Sequence, residues 1–151
     1  VGDLCAVHAL VFLLHKSVTR KKGHQSSASS RQDAIFHVIQ NIPEGSDVAA
    51  VASKKDDHYT QPYLLSFGVV TKPTQYFVIV DKIAISAGIT LVPALDRLFK
   101  CHYIFDVKYS LTVQQFWDFF AAMIYHVIPP AEAKPGVRTF YTALKGMNLE
   151  E

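Results

Sequence analysis

The apolar residues of this chain change their spacing several times, and each change marks an element. Leu4 to Leu14 is an apolar run broken only by His8. It falls well short of the roughly 20 residues that a bilayer requires, and its positive charges, Lys16 and Arg20 to Lys22, follow it instead of preceding it, the wrong order for a signal peptide. It reads as an amphipathic or core helix. Ile35, Phe36, Val38, Ile39 and Ile42 recur at helical spacing behind Ser29 and Ser30, which predicts a capped helix over about residues 31–41. Ser46 and Asp47 then open a short helical segment, Val48 to Ala52.

From Pro62 the period shortens. Tyr63 to Val70, Gln75 to Val80 and Ile83 to Ile85 read as three strands with short connections, a β-meander. Every position from Tyr76 to Val80 is apolar, so the middle strand is expected to be covered on both faces. Leu91, Leu95, Leu98 and Phe99 make the stripe of a short helix, with Pro93 in its first turn and Asp96 facing Lys100. His102 to Tyr109, rich in aromatic and β-branched residues, predicts a fourth strand. Thr112 and Gln115 have capping-box spacing, and Phe116, Phe119, Phe120, Met123, Ile124 and Val127 continue a helix until Pro129 and Pro130 stop it. These elements predict an α+β fold, a small, mainly antiparallel four-stranded sheet with helices packed on it. The Ser- and Lys-rich stretch 16–30 is a linker, and Lys54 to His58 and Pro129 to Pro135 are softer breaks. The chain divides into an N-terminal helix and basic linker, residues 1–31, and a single α+β domain, residues 32–151.

Composition narrows the function classes. Half of the 151 residues are apolar, enough for one core, and a net charge of +2 supplies no global field for nucleic acid or anionic lipid. Two cysteines, Cys5 and Cys101, cannot frame a disulfide scaffold, and no Asn-x-Ser/Thr acceptor occurs. Both features point to an intracellular compartment, cytoplasmic or nuclear. The first methionine is Met123, so the chain reads as a fragment or as one that has lost its initiator.

Convergent reactive groups are scarce. Cys5, His8 and His15 lie on one helix without a second ligand pair, so no metal and no cofactor is expected. Cys101 and His102 are adjacent, which in a strand places them on opposite faces. No nucleophile elbow and no phosphate-cradling glycine loop occurs. The sharpest enzymatic alternative is a Mg²⁺-dependent, restriction-endonuclease-like nuclease or its inactive descendant, with Asp81 and Asp106 as metal ligands and Lys108 as water activator. Lys16, Arg20, Lys21, Lys22 and Arg31 form a basic cluster that could touch nucleic-acid phosphates, but no aromatic residues interleave it for base stacking. On the aromatic helix, Val113, Trp117, Ala121 and Tyr125 make a second apolar flank, leaving Gln115, Asp118, Ala122 and His126 to face water. Such width means an enclosed helix or a partner surface, and the reading favours a non-enzymatic protein-interaction module that meets a partner or itself there, with no membrane contact.

The stretch Gln61 to Leu65, Tyr76 to Asp81, Ala94 to Lys100, Phe116 to Phe120 and Ile124-Tyr125 resembles a region of animal proteins found in fish and invertebrates, in some of which it follows a sterile alpha motif domain. The resemblance, to proteins similar to sterile alpha motif domain-containing protein 3, covers about residues 61–128. It implies a module present in many copies, with an origin in mobile elements suggested by analogy, and it carries over no catalytic residue.

Overall fold

Tyr63–Val69 (β4), Lys72–Val80 (β5) and Ile83–Gly88 (β6) form the antiparallel meander that the alternating pattern predicts. The computed structural model describes residues 3–15, 19–20, 27–28, 30–54 and 61–147. Among them, Thr19–Arg20 (β1) and Ser27–Ala28 (β2) pair as a separate two-stranded ribbon. Asp81 and Lys82 connect β5 to β6 with φ of 47° and 64°, the double left-handed geometry of a two-residue hairpin turn. Neither residue is glycine, although left-handed backbone costs other residues about 1–2 kcal/mol. After the roughly 0.5–1 kcal/mol of flexibility that glycine adds to the unfolded chain, Lys82→Gly is expected to raise stability by about 0.5–1 kcal/mol, read from the urea midpoint at unchanged slope.

The fourth strand is not the predicted one. Ile39–Ile42 (β3) pairs in parallel with β4, in register from Ile39 opposite Leu64 to Ile42 opposite Phe67, giving the order β3-β4-β5-β6. The helix predicted over 31–41 therefore ends early. Arg31–Val38 (α2) starts at the Ser30 cap, whose hydroxyl accepts from the Asp33 amide at 3.0 Å, and it stops where strand pairing takes over at Ile39. The Asn41 side chain then fastens β3, donating to the Ser66 carbonyl and hydroxyl and to the Gly68 carbonyl at 2.9–3.2 Å. A parallel neighbour demands a crossover, and residues 43–62 supply it through Val48–Ser53 (α3), capped by Asp47 at 3.1 Å from the Ala50 amide.

The residues 102–109 read as a strand fall elsewhere for a related reason. Leu91–Ile104 (α4) runs past the predicted end because His102 extends the buried stripe of Leu91, Ala94, Leu95, Leu98 and Phe99. Asp106 then ends the helix in the left-handed region, φ 48°. The Val107 amide donates to the His102 carbonyl at 2.9 Å and the Asp106 amide to the Tyr103 carbonyl at 3.2 Å. This is a Schellman stop with aspartate where glycine is usual.

The predicted helix 112–127 is broken into three. A 3₁₀ turn at Leu111–Val113 leads into Gln114–Phe119 (α5), and a π turn at Phe120–Ile124 follows, with the Tyr125 amide donating to the Phe120 carbonyl at 2.8 Å. Thr112 is buried and caps no amide through its side chain, so the capping-box spacing is not used. Beyond Pro135 the sequence reading marked no element, yet Pro135–Met147 (α6) is a full helix with proline in its first turn.

The sheet separates two cores. On one face, Ile39, Leu64, Tyr76, Val78 and Ala87 pack with α2, α4 and α5 and with Leu4, Val7 and Val11 of Asp3–Leu14 (α1), the helix expected at the start of the chain. On the other, Ile42, Tyr63, Leu65 and Ile79 pack against Ala52 of α3. The central strand β5 is thus covered on both faces, as its uninterrupted apolar run predicts. A third cluster joins Val137 of α6 to Leu14, Phe119, Ala122 and Met123. Among the described residues no helix is long and apolar enough to cross a membrane.

Candidate functional site

The flank expected to meet a partner is inside the molecule. Val113, Trp117 and Ala121 are each no more than 3% exposed. Trp117 packs its ring against Phe99, His102, Tyr109, Phe116 and Phe120. Tyr125 is half-buried, stacked on Phe99 with ring centres 4.1 Å apart, and its hydroxyl donates to Asp96 at 2.5 Å. Lys100 donates to the same carboxylate at 2.6 Å, and these two hydrogen bonds, the lysine's first, hold Asp96 below the usual carboxylate range. Of the four residues expected at a surface, Trp117 and Tyr125 therefore pack against α4, and Val113 and Ala121 are buried in the same core cluster. Ala122, expected to face water, is fully buried because α6 covers it. Ile124 and Val127, expected in the core, are half exposed: the π turn inserts an extra residue and rotates all that follows it.

The basic cluster is largely out of view. Lys16, Lys21 and Lys22 lie outside the described residues, and Arg20 is placed in β1 by its backbone alone. Arg31 opens α2 and lays its guanidinium over the Phe12 ring, 4.1 Å from the centroid, which ties it to α1.

Asp81 stands at the exposed β5–β6 turn, while Asp106 and Lys108 stand in the loop after α4, so they do not share a strand face as they would in the expected fourth strand. No group of three or more His, Cys, Asp or Glu side chains that could hold a metal ion occurs among the described residues. Asp106 and Lys108 nevertheless border one cavity of about 400 Å³, together with His102, Tyr103, Tyr109 and Gln114, and Asp81 does not.

That cavity is built by the end of α4. His102 is 3% exposed and donates its Nδ1–H to the Leu98 carbonyl at 3.0 Å, which fixes the tautomer and leaves Nε2 as an acceptor. Burial pulls the His102 pKa down against the opposing pull of that carbonyl, so the ring is neutral at pH 7. Nε2 makes no hydrogen bond among the described residues and is not sealed off, because His102 lines the cavity. Burial, with the Tyr103 hydroxyl as the next contributor, pushes the Tyr109 phenol well above its ordinary value and keeps it a neutral O–H. Neither Asp106 nor Lys108 forms an ion pair among the described residues. In the sequence, His102 stands out only beside Cys101, and Tyr103 and Tyr109 only as residues of the expected fourth strand. No local signal marks them, since a helix end and a loop bring them together only in three dimensions.

A second feature is the outer edge of β6. The strand pairs only with β5 among the described residues, and Val80 opposite Ile83 starts a register in which Ala84 and Ser86 turn their amides and carbonyls away from β5. None of the residues 83–88 carries a charge, and Ile83 and Ile85 are 64% and 46% exposed. Natural edge strands commonly carry lysine, proline or a bulge that deters pairing; of these β6 has the bulge, where its register with β5 shifts past Ser86. No family model, no curated protein and no solved structure matches this chain.

Proposed function

We propose that this chain is a non-enzymatic interaction and assembly module, and that its contact is the β6 edge, where a second copy adds its own β6 in antiparallel register. The observation that carries this reading is an uncharged strand edge, unpaired among the described residues up to the bulge after Ser86, with Ile83 and Ile85 exposed beside it. Unpaired amides and carbonyls select an extended strand, and the flanking isoleucines select an apolar one. A twofold axis through the strand lets each copy satisfy the other's edge with one surface, the commonest symmetry of soluble oligomers. The helix flank that would have competed as a contact is occupied by the molecule's own core.

Sedimentation velocity across a concentration series tests the reading. A reversible dimer is expected, and Ile85→Lys is expected to weaken it tenfold or more, since an edge lysine must be desolvated against its symmetry mate. The Ile85 side chain is nearly half exposed, so thermal unfolding of the variant monomer should match that of the parent protein. A parent chain that stays monomeric throughout, or a dimer indifferent to Ile85→Lys, overturns the proposal.

A further inference from the structure

The first helix is apolar on two sides, and the core takes up only one of them. Leu4, Val7, Val11 and Leu14 of α1 are buried, yet Cys5, Ala6, Ala9, Phe12 and Leu13 face outward, with Phe12 44% and Leu13 63% exposed. At about 3.6 residues per turn these five positions form one unbroken outer stripe, and none of them is charged. A helix that is apolar all round is ordinarily enclosed. The stripe has three layers: small Cys5 and Ala6 at its start, Ala9 in the middle, large Phe12 and Leu13 at its end. Charge is graded along it in the same direction. Asp3, the first residue of α1, is the helix's one charged residue, whereas Arg31 lies over the Phe12 ring at the far end, 4.1 Å from the centroid, with no ion-pair partner among the described residues.

We propose that this stripe pairs with the same stripe of a second copy, the two α1 helices running antiparallel about a twofold axis at Ala9. That placement sets Cys5 level with Leu13, and Ala6 level with Phe12, of the second copy, so each small layer receives a large one. Ala9 meets Ala9 on the axis, where small side chains let the helices approach to about 8 Å. The acidic start of each helix comes to the Arg31 end of the other. A parallel pair would set small against small, large against large and Arg31 against Arg31. The contact is separate from the β6 edge, and neither proposal depends on the other. It offers two large apolar side chains and no backbone hydrogen bonds, so it fills at higher concentration than the strand edge. A chain carrying both twofold surfaces grows past a dimer, into a closed ring or an open chain according to how the two axes meet.

Sedimentation velocity at the top of the concentration series is expected to show species beyond the dimer. Ala9→Arg, which sets two cations against each other on the axis, should weaken that second step at least about tenfold and leave the dimer. Ala9 is exposed and arginine is a good helix former, so thermal unfolding should not change. Arg31→Glu should weaken the same step by about twofold to fivefold, as an exposed ion pair would. An equimolar mixture of Arg31→Glu with Asp3→Lys should restore it, because each half of the mixed pair again joins opposite charges. Cross-linking in the Ile85→Lys background tests the helix register apart from the strand edge. There Leu13→Cys is expected to form a disulfide with the native Cys5 of a second copy under mild oxidation, and adding Cys5→Ser to abolish it. Absence of that cross-link, a cross-link that survives Cys5→Ser, or assembly indifferent to Ala9→Arg would each overturn the proposal, whatever the strand edge does. Flotation with phosphatidylserine vesicles that Ala9→Arg prevents, without cross-linking, would assign the stripe to a lipid surface and overturn it as well.

Discussion

Trp117→Ala is expected to destabilise the protein by about 3–5 kcal/mol, the range of buried aromatic truncations. The side chain is 1% exposed and touches rings from α4, α5 and the loop between them, so no single neighbour can collapse into the space it leaves. Urea unfolding followed by far-ultraviolet circular dichroism measures the effect, since the variant loses the fluorescent reporter. A loss below about 1 kcal/mol, the scale of an ordinary surface change, would show that the α4–α5 seam is not packed as described. The same substitution bears on assembly only through the fold, because the indole has no surface to offer a partner.

Val137→Asp is expected to release α6 while leaving the sheet folded. Val137 is the one fully buried residue of this helix and packs on Phe119, Ala122 and Met123, where a carboxylate finds no counter-charge. Lys134 stands 3.8 Å from Asp118 at the surface and is engaged there. An unpaired buried charge costs about 3–5 kcal/mol, and peeling away a terminal helix relieves that cost without unfolding the rest. Hydrogen exchange should therefore show lost protection over residues 135–147 and retained protection in β4 and β5. Uniform loss across the chain would mean that α6 belongs to the same cooperative unit as the sheet.

The α+β class and the meander were legible in the sequence because they rest on local alternation and two-residue connections. The caps at Ser30 and Asp47 were legible for the same reason: each acts within three residues. What local pattern could not show was competition from distant partners. Ile39 and Ile42 fit a helical period with Ile35 and Val38, yet pairing with Leu64 and Phe67 draws them into a strand. His102 to Ile104 look like strand residues, but the buried stripe of α4 keeps them helical. The spacing of Val137, Phe140, Tyr141 and Leu144 behind Pro135 did carry a helix signal that the double-proline break obscured. Of the candidate residues, Asp106 and Lys108 border one cavity, through a helix stop and not through strand alternation. The acceptor nitrogen of His102 was invisible beforehand, because a tautomer is set by a carbonyl one helical turn away.

The parallel placement of β3 also orders events in time. β4, β5 and β6 close from neighbouring residues, whereas β3 meets β4 only across the longer connection that carries α3. Non-local closure of this kind is slow relative to hairpin formation, so a nascent molecule passes through an interval in which Leu64 and Leu65 border an unclaimed ladder. During synthesis that interval is when neighbouring chains can misassemble, and the three hydrogen bonds of the Asn41 amide are the latch that ends it.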